Sequence, residues 1–300
     1  MTGTVGIVGL GIMGGAMARN LVAAGRRVIG FDIERARCAE LAAEGIEIAE
    51  SIAGVARGAQ SVLTSLPSPQ AVALAAREIA AAGLDRHVVI EASTLALDDK
   101  LAFESTLREA GHVALDSPLS GTGAQAKTKD LVVYASGDTA AIEAQRPLFA
   151  GFARATHDVG VFGNGTRMKL VANLLVAIHN VASAEAMVLG MKAGLDPHQV
   201  VELIGAGAAT SRIFELRAPM MADSRYEPAT MRVSTWQKDM AVIGAFAQKL
   251  GAPTPLFCAT EAIYAAAMGL GFAGQDTAAV CAVLERMAGV ERAARPHDEG

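Results

Sequence analysis

Aromatic side chains are scarce in this sequence, at 4% of 300 residues, so the core must be built mainly from small and aliphatic groups. Cysteine is nearly absent too. Cys38, Cys258 and Cys281 form no CxxC pair and no metal-ligand spacing with the six histidines, which excludes a disulfide framework and predicts no metal site. A reducing, cytoplasmic compartment is the simplest setting for three isolated thiols. A basic excess is missing: 26 Lys and Arg stand against 31 Asp and Glu, and with a net charge of -5 and a pI near 5.7 no nucleic-acid partner is expected. Met1-Thr2-Gly3-Thr4 lacks the positive segment of a secretory signal, although Ala16-Met17-Ala18 mimics a cleavage site. An unbroken apolar run is missing as well. The most apolar long stretch, 171–191, contains Asn173, His179, Asn180 and Glu185, which predicts a buried helix and no membrane partner despite a mean hydropathy of +0.33.

What is present is alanine, glycine and aliphatic side chains. Apolar residues make up 52% and charged residues 19% of a chain long enough for about two domains. The first half alternates short β-type runs (5–8, 27–31, 61–65, 88–91, 112–115, 131–135 and 155–159) with helical patterns such as 11–24 and 34–44, stopped by Gly25 and Gly45. Alternation of this kind implies βαβ units and a mostly parallel sheet with helices on both faces. After about Phe162 the strands stop. Helical patterns follow at 166–193, 197–204, 212–221, 233–250, 255–268 and 276–287, with Asp196-Pro197 and Asp276 as helix-starting signals. The expected organisation is a nucleotide-binding domain over 1–162, an all-helical substrate and oligomerisation domain over 163–290, and a polar, frayed tail over 291–300.

Gly9-Leu10-Gly11-Ile12-Met13-Gly14 is a GxGxxG that follows a predicted strand and opens a predicted helix, the context a dinucleotide site needs. The first glycine permits the turn, the second admits a pyrophosphate, and the third lets helix pack on strand. The fold class is therefore α/β: a Rossmann-type doubly wound sheet followed by an all-α C-terminal domain. Asp32 ends the second strand, where a carboxylate can hold the ribose hydroxyls and repel a 2′-phosphate, which predicts NAD over NADP. The same residue could instead cap the following helix, and Arg35 and Arg37 lie close enough in sequence to partly rescue NADP.

Lys169 and Asn173 stand four residues apart on a predicted helix, just after Gly163-Asn164-Gly165, near the expected domain boundary, where a substrate cleft commonly lies. A lysine there can act as general base once burial or a nearby cation lowers its pKa. The spacing alone equally fits an exposed helix lysine beside a core asparagine. Asp116-Ser117-Pro118-Leu119-Ser120-Gly121-Thr122-Gly123 follows a strand; its backbone amides suit an anion nest for a substrate carboxylate, or it is a plain loop. Lys238-Asp239 reads by itself as a solvated pair, and His179 as a satisfied core histidine.

At these four places together the chain resembles the β-hydroxyacid dehydrogenase family, which includes 3-hydroxyisobutyrate dehydrogenase, tartronate semialdehyde reductase and 6-phosphogluconate dehydrogenase. Residues 9–14 with Met17-Ala18-Arg19-Asn20-Leu21 resemble the family's GLGxMGxxMAxNL, 116–121 its DxPxSG, and 163–169 its GxGxxxK, with Asn173 and Lys238-Asp239 at further matching positions. The resemblance spans about residues 4 to 288. It implies Lys169 as the catalytic lysine and Asn173 as the group orienting substrate and lysine. It also implies Ser120, Gly121 and Thr122 as the carboxylate site, and Leu66, Pro67, Thr94 and Lys238 as cofactor contacts beside the glycine loop. Thr122 and Gln125 depart from glycines common in the family, which bears on substrate identity more than on reaction class.

The function this implies is reversible hydride transfer between a small anionic β-hydroxy acid and NAD, with Lys169 as general acid and base. An imine reductase-like enzyme and a non-catalytic nucleotide-binding scaffold are the alternatives; the first usually lacks the lysine, and both sit poorly with an intact Lys169/Asn173 pair. L-Serine, 3-hydroxyisobutyrate, glycerate or tartronate semialdehyde and L-threonate all fit as substrates. Arg212 is a candidate for a second anionic group, and a homodimer or homotetramer is expected.

Overall fold

A computed structural model describes residues 3–292; of the frayed tail expected over 291–300, residues 293–300 lie outside the described residues, while Arg292 is held by the Met221 and Ala222 carbonyls. Strands β1 (Val5–Val8), β2 (Val28–Phe31), β3 (Glu47–Ile48), β4 (Ser61–Thr64), β5 (Val88–Glu91) and β6 (Val113–Asp116) form one parallel sheet. Its order is β3-β2-β1-β4-β5-β6, that of a doubly wound dinucleotide-binding sheet. Helices α1 (Ile12–Ala23), α2 (Arg35–Ala43), α3 (Ile52–Gly58), α4 (Pro69–Ala80) and α5 (Leu97–Glu109) make the crossovers. The strands are apolar on both sides because both faces are covered. Ile7, Leu63 and Ile90 enter one core with Met17 and Leu21 of α1, while Val8, Val62 and Val89 enter the other with Val72 and Ile79 of α4 and Phe103 of α5. Sequence periodicity missed β3 and α3, which at two and seven residues are too short to show a period.

The expectation of one mostly parallel sheet needs correction after β6. Past Ser117, whose N–H makes the last bond to Glu91, the chain turns toward 132–136, where the Pro118 carbonyl accepts the Tyr134 N–H at 3.1 Å, and enters a second, three-stranded sheet. It comprises β7 (Leu119–Ser120), β8 (Val132–Ala135) and β9 (Ala155–Asp158), with β7 antiparallel to β8 and β8 parallel to β9. Between them lie α6 (Gly123–Lys127) and α7 (Thr139–Phe149).

The rest of the described chain is helical: α8 (Asn164–Lys192), α9 (Pro197–Gly205), α10 (Arg212–Ala222), α11 (Val233–Leu250), α12 (Pro255–Gly269), a 3₁₀ turn (Thr277–Ala279) and α13 (Val280–Ala288). Asp196 caps α9 through the His198 N–H at 3.0 Å, with Pro197 at the first position. Asp276 caps the 3₁₀ turn, so the helix expected over 276–287 is a tight turn followed by α13. The chain divides into two compact units after Val171, inside α8. The first turns of α8 are anchored in the first unit, by contacts described below. By length and composition α8 is apolar enough to cross a membrane. It nonetheless carries buried polar groups bonded within the protein: Asn180 Nδ2 donates to Tyr264 Oη and to the Thr277 carbonyl, both at 2.9 Å. His179 is half-buried, not a core residue as expected.

Candidate active site

The nucleotide loop is set by close approach. Gly9 has φ +91°, and a Cβ there would fall 2.2 Å from the Ser65 carbonyl oxygen; on Gly14 it would fall 1.8 Å from the Gly9 oxygen. Neither position admits a side chain. A Cβ on Gly11 meets no atom within 4 Å, so the turn is open on that side to a ligand's approach. The first hydrogen bond of α1 runs from Gly15 N–H to the Gly11 carbonyl at 2.7 Å. The amides of Ile12, Met13 and Gly14 therefore have no acceptor within their own helix, the donor set that a pyrophosphate uses. Asp32, just after β2, accepts the Leu10 N–H at 2.7 Å and the Glu34 N–H at 2.8 Å, with the Arg37 guanidinium 3.6 Å away. Its carboxylate props the glycine turn and also steadies the entry to α2. The residues present thus fit a dinucleotide.

Three further loops gather at this edge of the sheet. The Leu66 side chain lies 3.1 Å from where a Gly9 Cβ would be, and the Leu66 N–H donates to Ser93 Oγ at 2.8 Å. Leu66 and Pro67 after β4, and Thr94 after β5, are thereby held beside the glycine turn. The third loop arrives from β6. Gly123, which opens α6, sits so close to Ile12 that a Cβ would fall 2.5 Å from Ile12 Cγ2, and Asn20 Nδ2 donates to the Ala126 carbonyl at 2.7 Å. Ser120 and Gly121 lie at the turn. The Thr122 N–H is taken by Gln125 Oε1 at 3.0 Å, and Gln125 Nε2 donates to Asp130 Oδ2 at 2.9 Å. The two departures from the family pattern are thus one capping box.

The start of α8 is locked onto the same loop. A Cβ on Gly165 would fall 2.3 Å from the Tyr134 oxygen and 2.7 Å from the Asp116 oxygen. Its N–H donates to Ser136 Oγ at 3.0 Å; the Thr166 N–H and Oγ1 donate to the Asp116 carboxylate at 2.7 and 2.8 Å. Residues distant in sequence therefore cap the helix, and its positive end is occupied by Asp116. Lys169 is half-buried one turn further on.

Sequence reasoning missed the group beneath. Lys100, Glu91 and Asp116 are all 0% exposed, with Lys100 Nζ paired to Glu91 Oε2 and, at 3.2 Å, to Asp116 Oδ1. Burial alone would push the Lys100 ammonium down, but Glu91 and Asp116 outweigh it and hold its pKa above the usual lysine value. Asp116 opens the DxPxSG stretch, but no local signal marks Glu91 or Lys100 as its partners: Lys100 sits in a helix with Asp98 and Asp99, where a solvated side chain is the ordinary expectation.

In the second unit, Asn173 is 4% exposed and its Nδ2 donates to Asp239 Oδ2 at 3.1 Å. That corrects the solvated reading of Lys238-Asp239. Lys238 is half-buried with Nζ 3.7 Å from Asp239, but Asp239 itself is buried, because it finds an amide partner 66 residues away. Arg212 pairs with Glu215 at 3.0 Å on an exposed surface. No metal-binding group of His, Cys, Asp and Glu occurs among the described residues.

A sheet of this order and a glycine turn with open amides, followed in the chain by an all-helical unit, define a dinucleotide-binding protein. The family model described as the NAD binding domain of 6-phosphogluconate dehydrogenase matches residues 4–163, and that described as NAD-binding of NADP-dependent 3-hydroxyisobutyrate dehydrogenase matches 163–284. L-Threonate dehydrogenase of Cupriavidus necator is 30% identical, over 95% of this chain and 97% of its own length. The solved structure of Mycobacterium tuberculosis 3-hydroxyisobutyrate dehydrogenase with L-serine is 27% identical, with a TM-score of 0.86 over 95% of this chain and 99% of that one. An imine reductase from Pseudomonas sp., 17% identical with a TM-score of 0.59, shares the fold alone. The chain belongs to the β-hydroxyacid dehydrogenase family of NAD(P)-dependent enzymes acting on CH–OH groups.

Proposed function

We propose that this protein is an NAD-preferring dehydrogenase of a short β-hydroxy acid, with Lys169 as general acid and base. One observation carries the reading. The glycine turn, the Ser120 loop and the helix bearing Lys169 meet within one compact unit, through the contacts of Gly123 with Ile12 and of Gly165 and Thr166 with Asp116. Ser120 and Gly121 hold the substrate carboxylate, and Thr122 lines the same turn with its N–H engaged by Gln125. Neutral Lys169 accepts the hydroxyl proton at Nζ and, as ammonium, returns it in reduction. Asn173 orients substrate and lysine, with its amide set by Asp239. The bound nicotinamide supplies the hydride acceptor. Leu66, Pro67, Thr94 and Lys238 would contact the cofactor, and Gly9, Leu10, Gly11, Ile12, Met13 and Gly14 would hold its pyrophosphate. Asp32 takes the ribose hydroxyls and disfavours a 2′-phosphate.

The domain roles proposed with this are nucleotide binding by residues 1–162, which also carry the Ser120 loop, and substrate binding and oligomerisation by 163–290. A cytoplasmic homodimer or homotetramer is supported by three free cysteines and by exposed leucines such as Leu189 and Leu203. L-Serine, L-threonate and 3-hydroxyisobutyrate head the substrate panel, because relatives are named for acting on the latter two and a solved relative is described with the first.

The test is cofactor reduction followed by absorbance across that panel. Lys169→Ala is expected to lower kcat by about 100-fold or more, the range for a lost general acid–base. Near-native turnover in that variant would refute the role. A higher kcat/KM with NADP than with NAD would refute the cofactor preference.

A further inference from the structure

The three buried ionic groups under the site are not an isolated ion pair. Glu91 Oε1 accepts the Ser93 N–H at 3.0 Å and Thr64 Oγ1 at 3.3 Å, and Ser93 Oγ accepts the Leu66 N–H. The loops carrying Leu66, Pro67 and Thr94 therefore hang from Glu91. Lys100 bridges Glu91 to Asp116 and also donates to the Glu91 backbone oxygen at 3.4 Å. Asp116 in turn holds Thr166 by two hydrogen bonds, while Ser136 Oγ joins the Asp116 carbonyl at 3.1 Å to the Gly165 N–H at 3.0 Å. Thr64, Glu91, Lys100, Asp116 and Ser136 are all 0% exposed, and Thr166 is 2% exposed.

Stability alone does not account for such a cluster. Replacing a buried ion pair by well-packed apolar groups is often neutral or stabilising, and here one ammonium serves two carboxylates. What charge-assisted hydrogen bonds add is direction: they are short and angular, where apolar contacts tolerate sliding. The elements tied together are the ends of β4 and β5 beside the glycine turn, and the first turn of α8 three residues before Lys169.

We propose that the Glu91–Lys100–Asp116 cluster is a positioning device that registers the lysine helix against the cofactor-lining loops, with Thr166 as the handle by which it sets where Lys169 stands. It rests on the reading of Lys169 as the proton-transfer group. The cluster is fully buried and acts through Thr166 on one side and Ser93 on the other.

The sharpest variant is Thr166→Val, which keeps the β-branched shape and removes the hydroxyl donor, with Thr166→Ser as the rescue. Thr166→Val is expected to lower kcat about tenfold, within the range for a displaced catalytic group, with NAD affinity by titration calorimetry changed less than about twofold. Thr166→Ser restores kcat. Glu91→Gln, acting on the other end, weakens NAD binding as well; if it fails to fold, the Thr166 pair still decides. A second readout needs no turnover. The rate of Lys169 acylation by an amine-reactive ester, followed by peptide mass spectrometry across pH, shifts in Thr166→Val and returns in Thr166→Ser. A Thr166→Val protein with a lower Tm but unchanged kcat and unchanged Lys169 labelling overturns the proposal and leaves a purely structural cluster. If Lys169→Ala retains turnover, the proton-transfer reading fails by itself, while the labelling comparison still reports whether Thr166 sets the lysine's surroundings.

Discussion

At Gly165 the first turn of α8 has no room for one carbon more. A Cβ there meets two carbonyl oxygens, both backbone, so neither can swing away. Gly165→Ala is expected to cost about 1–3 kcal/mol by urea denaturation, the usual penalty for overpacking, and to lower kcat by tilting the turn before Lys169. Unchanged stability would mean that α8 starts elsewhere. The glycine was visible in the sequence as part of a motif, but its reason was not: Tyr134 and Asp116 lie 31 and 49 residues away, and only folding brings them there. Thr122 and Gln125 show the same limit. Each stood out as a departure from the family pattern, yet that they answer each other follows from the Gln125 side chain turning back to the Thr122 N–H. Asp32 was legible as an acid at the end of a strand. Its two bonds to the Leu10 and Glu34 amides were not, because any strand-end aspartate reads alike.

Among elements, the entries to helices divide into those built locally and those built from afar. Ser68 with Pro69 caps α4 and Asp196 with Pro197 caps α9, through residues adjacent in sequence, and such signals can be read directly. The start of α8 is capped by Asp116 and Ser136, which no local pattern announces. Asp276 does both. It caps the 3₁₀ turn through the Ala278 N–H, and it holds a separate strap through the Thr230 N–H and Oγ1 at 2.7 Å and the Met231 N–H at 3.1 Å, with Arg217 at 3.3 Å. Asp276→Ala would leave the buried Arg217 uncompensated. A loss of about 3–5 kcal/mol is expected in chemical denaturation, with Asp276→Asn losing less because it keeps an acceptor. Equal losses for the two variants would show that the charge, and not the hydrogen-bond geometry, does the holding.

For the whole molecule, acid stability is set partly at the edge of the sheet away from the glycine turn. His112 is 5% exposed; burial, aided by the neighbouring His87, pushes its pKa below the ordinary histidine value of 6.5. The unfolded chain therefore binds this proton more readily than the folded one. The contribution to stability is full above pH 6.5 and is lost as the pH falls from there through the lowered folded value. Thermal melts between pH 7.5 and 5.5 should show a falling Tm, and His112→Asn should flatten that fall; an equally steep fall in the variant would place the titrating group elsewhere. Lys100 bounds the other side. Its pKa is raised, so its ion pairs are intact below the unfolded lysine value of about 10.5 and fail only as pH climbs past the folded one.

Local chemistry determined much of this protein from the sequence alone. Short β-type runs alternating with helical patterns marked a sheet covered on both faces, glycine spacing marked the nucleotide turn, and the change from strands to helices near Phe162 separated a sheet-based half from a helical one. These depend on steric and periodic rules acting over a few residues. The tertiary structure alone decided the second sheet after Pro118, the burial of Asp239 against Asn173, and the line of hydrogen bonds from Leu66 through Glu91, Lys100 and Asp116 to Thr166. A polar or charged side chain carries no mark of its partner in the sequence; whether it is solvated or becomes the centre of a buried network depends on which donors and acceptors the fold delivers to it.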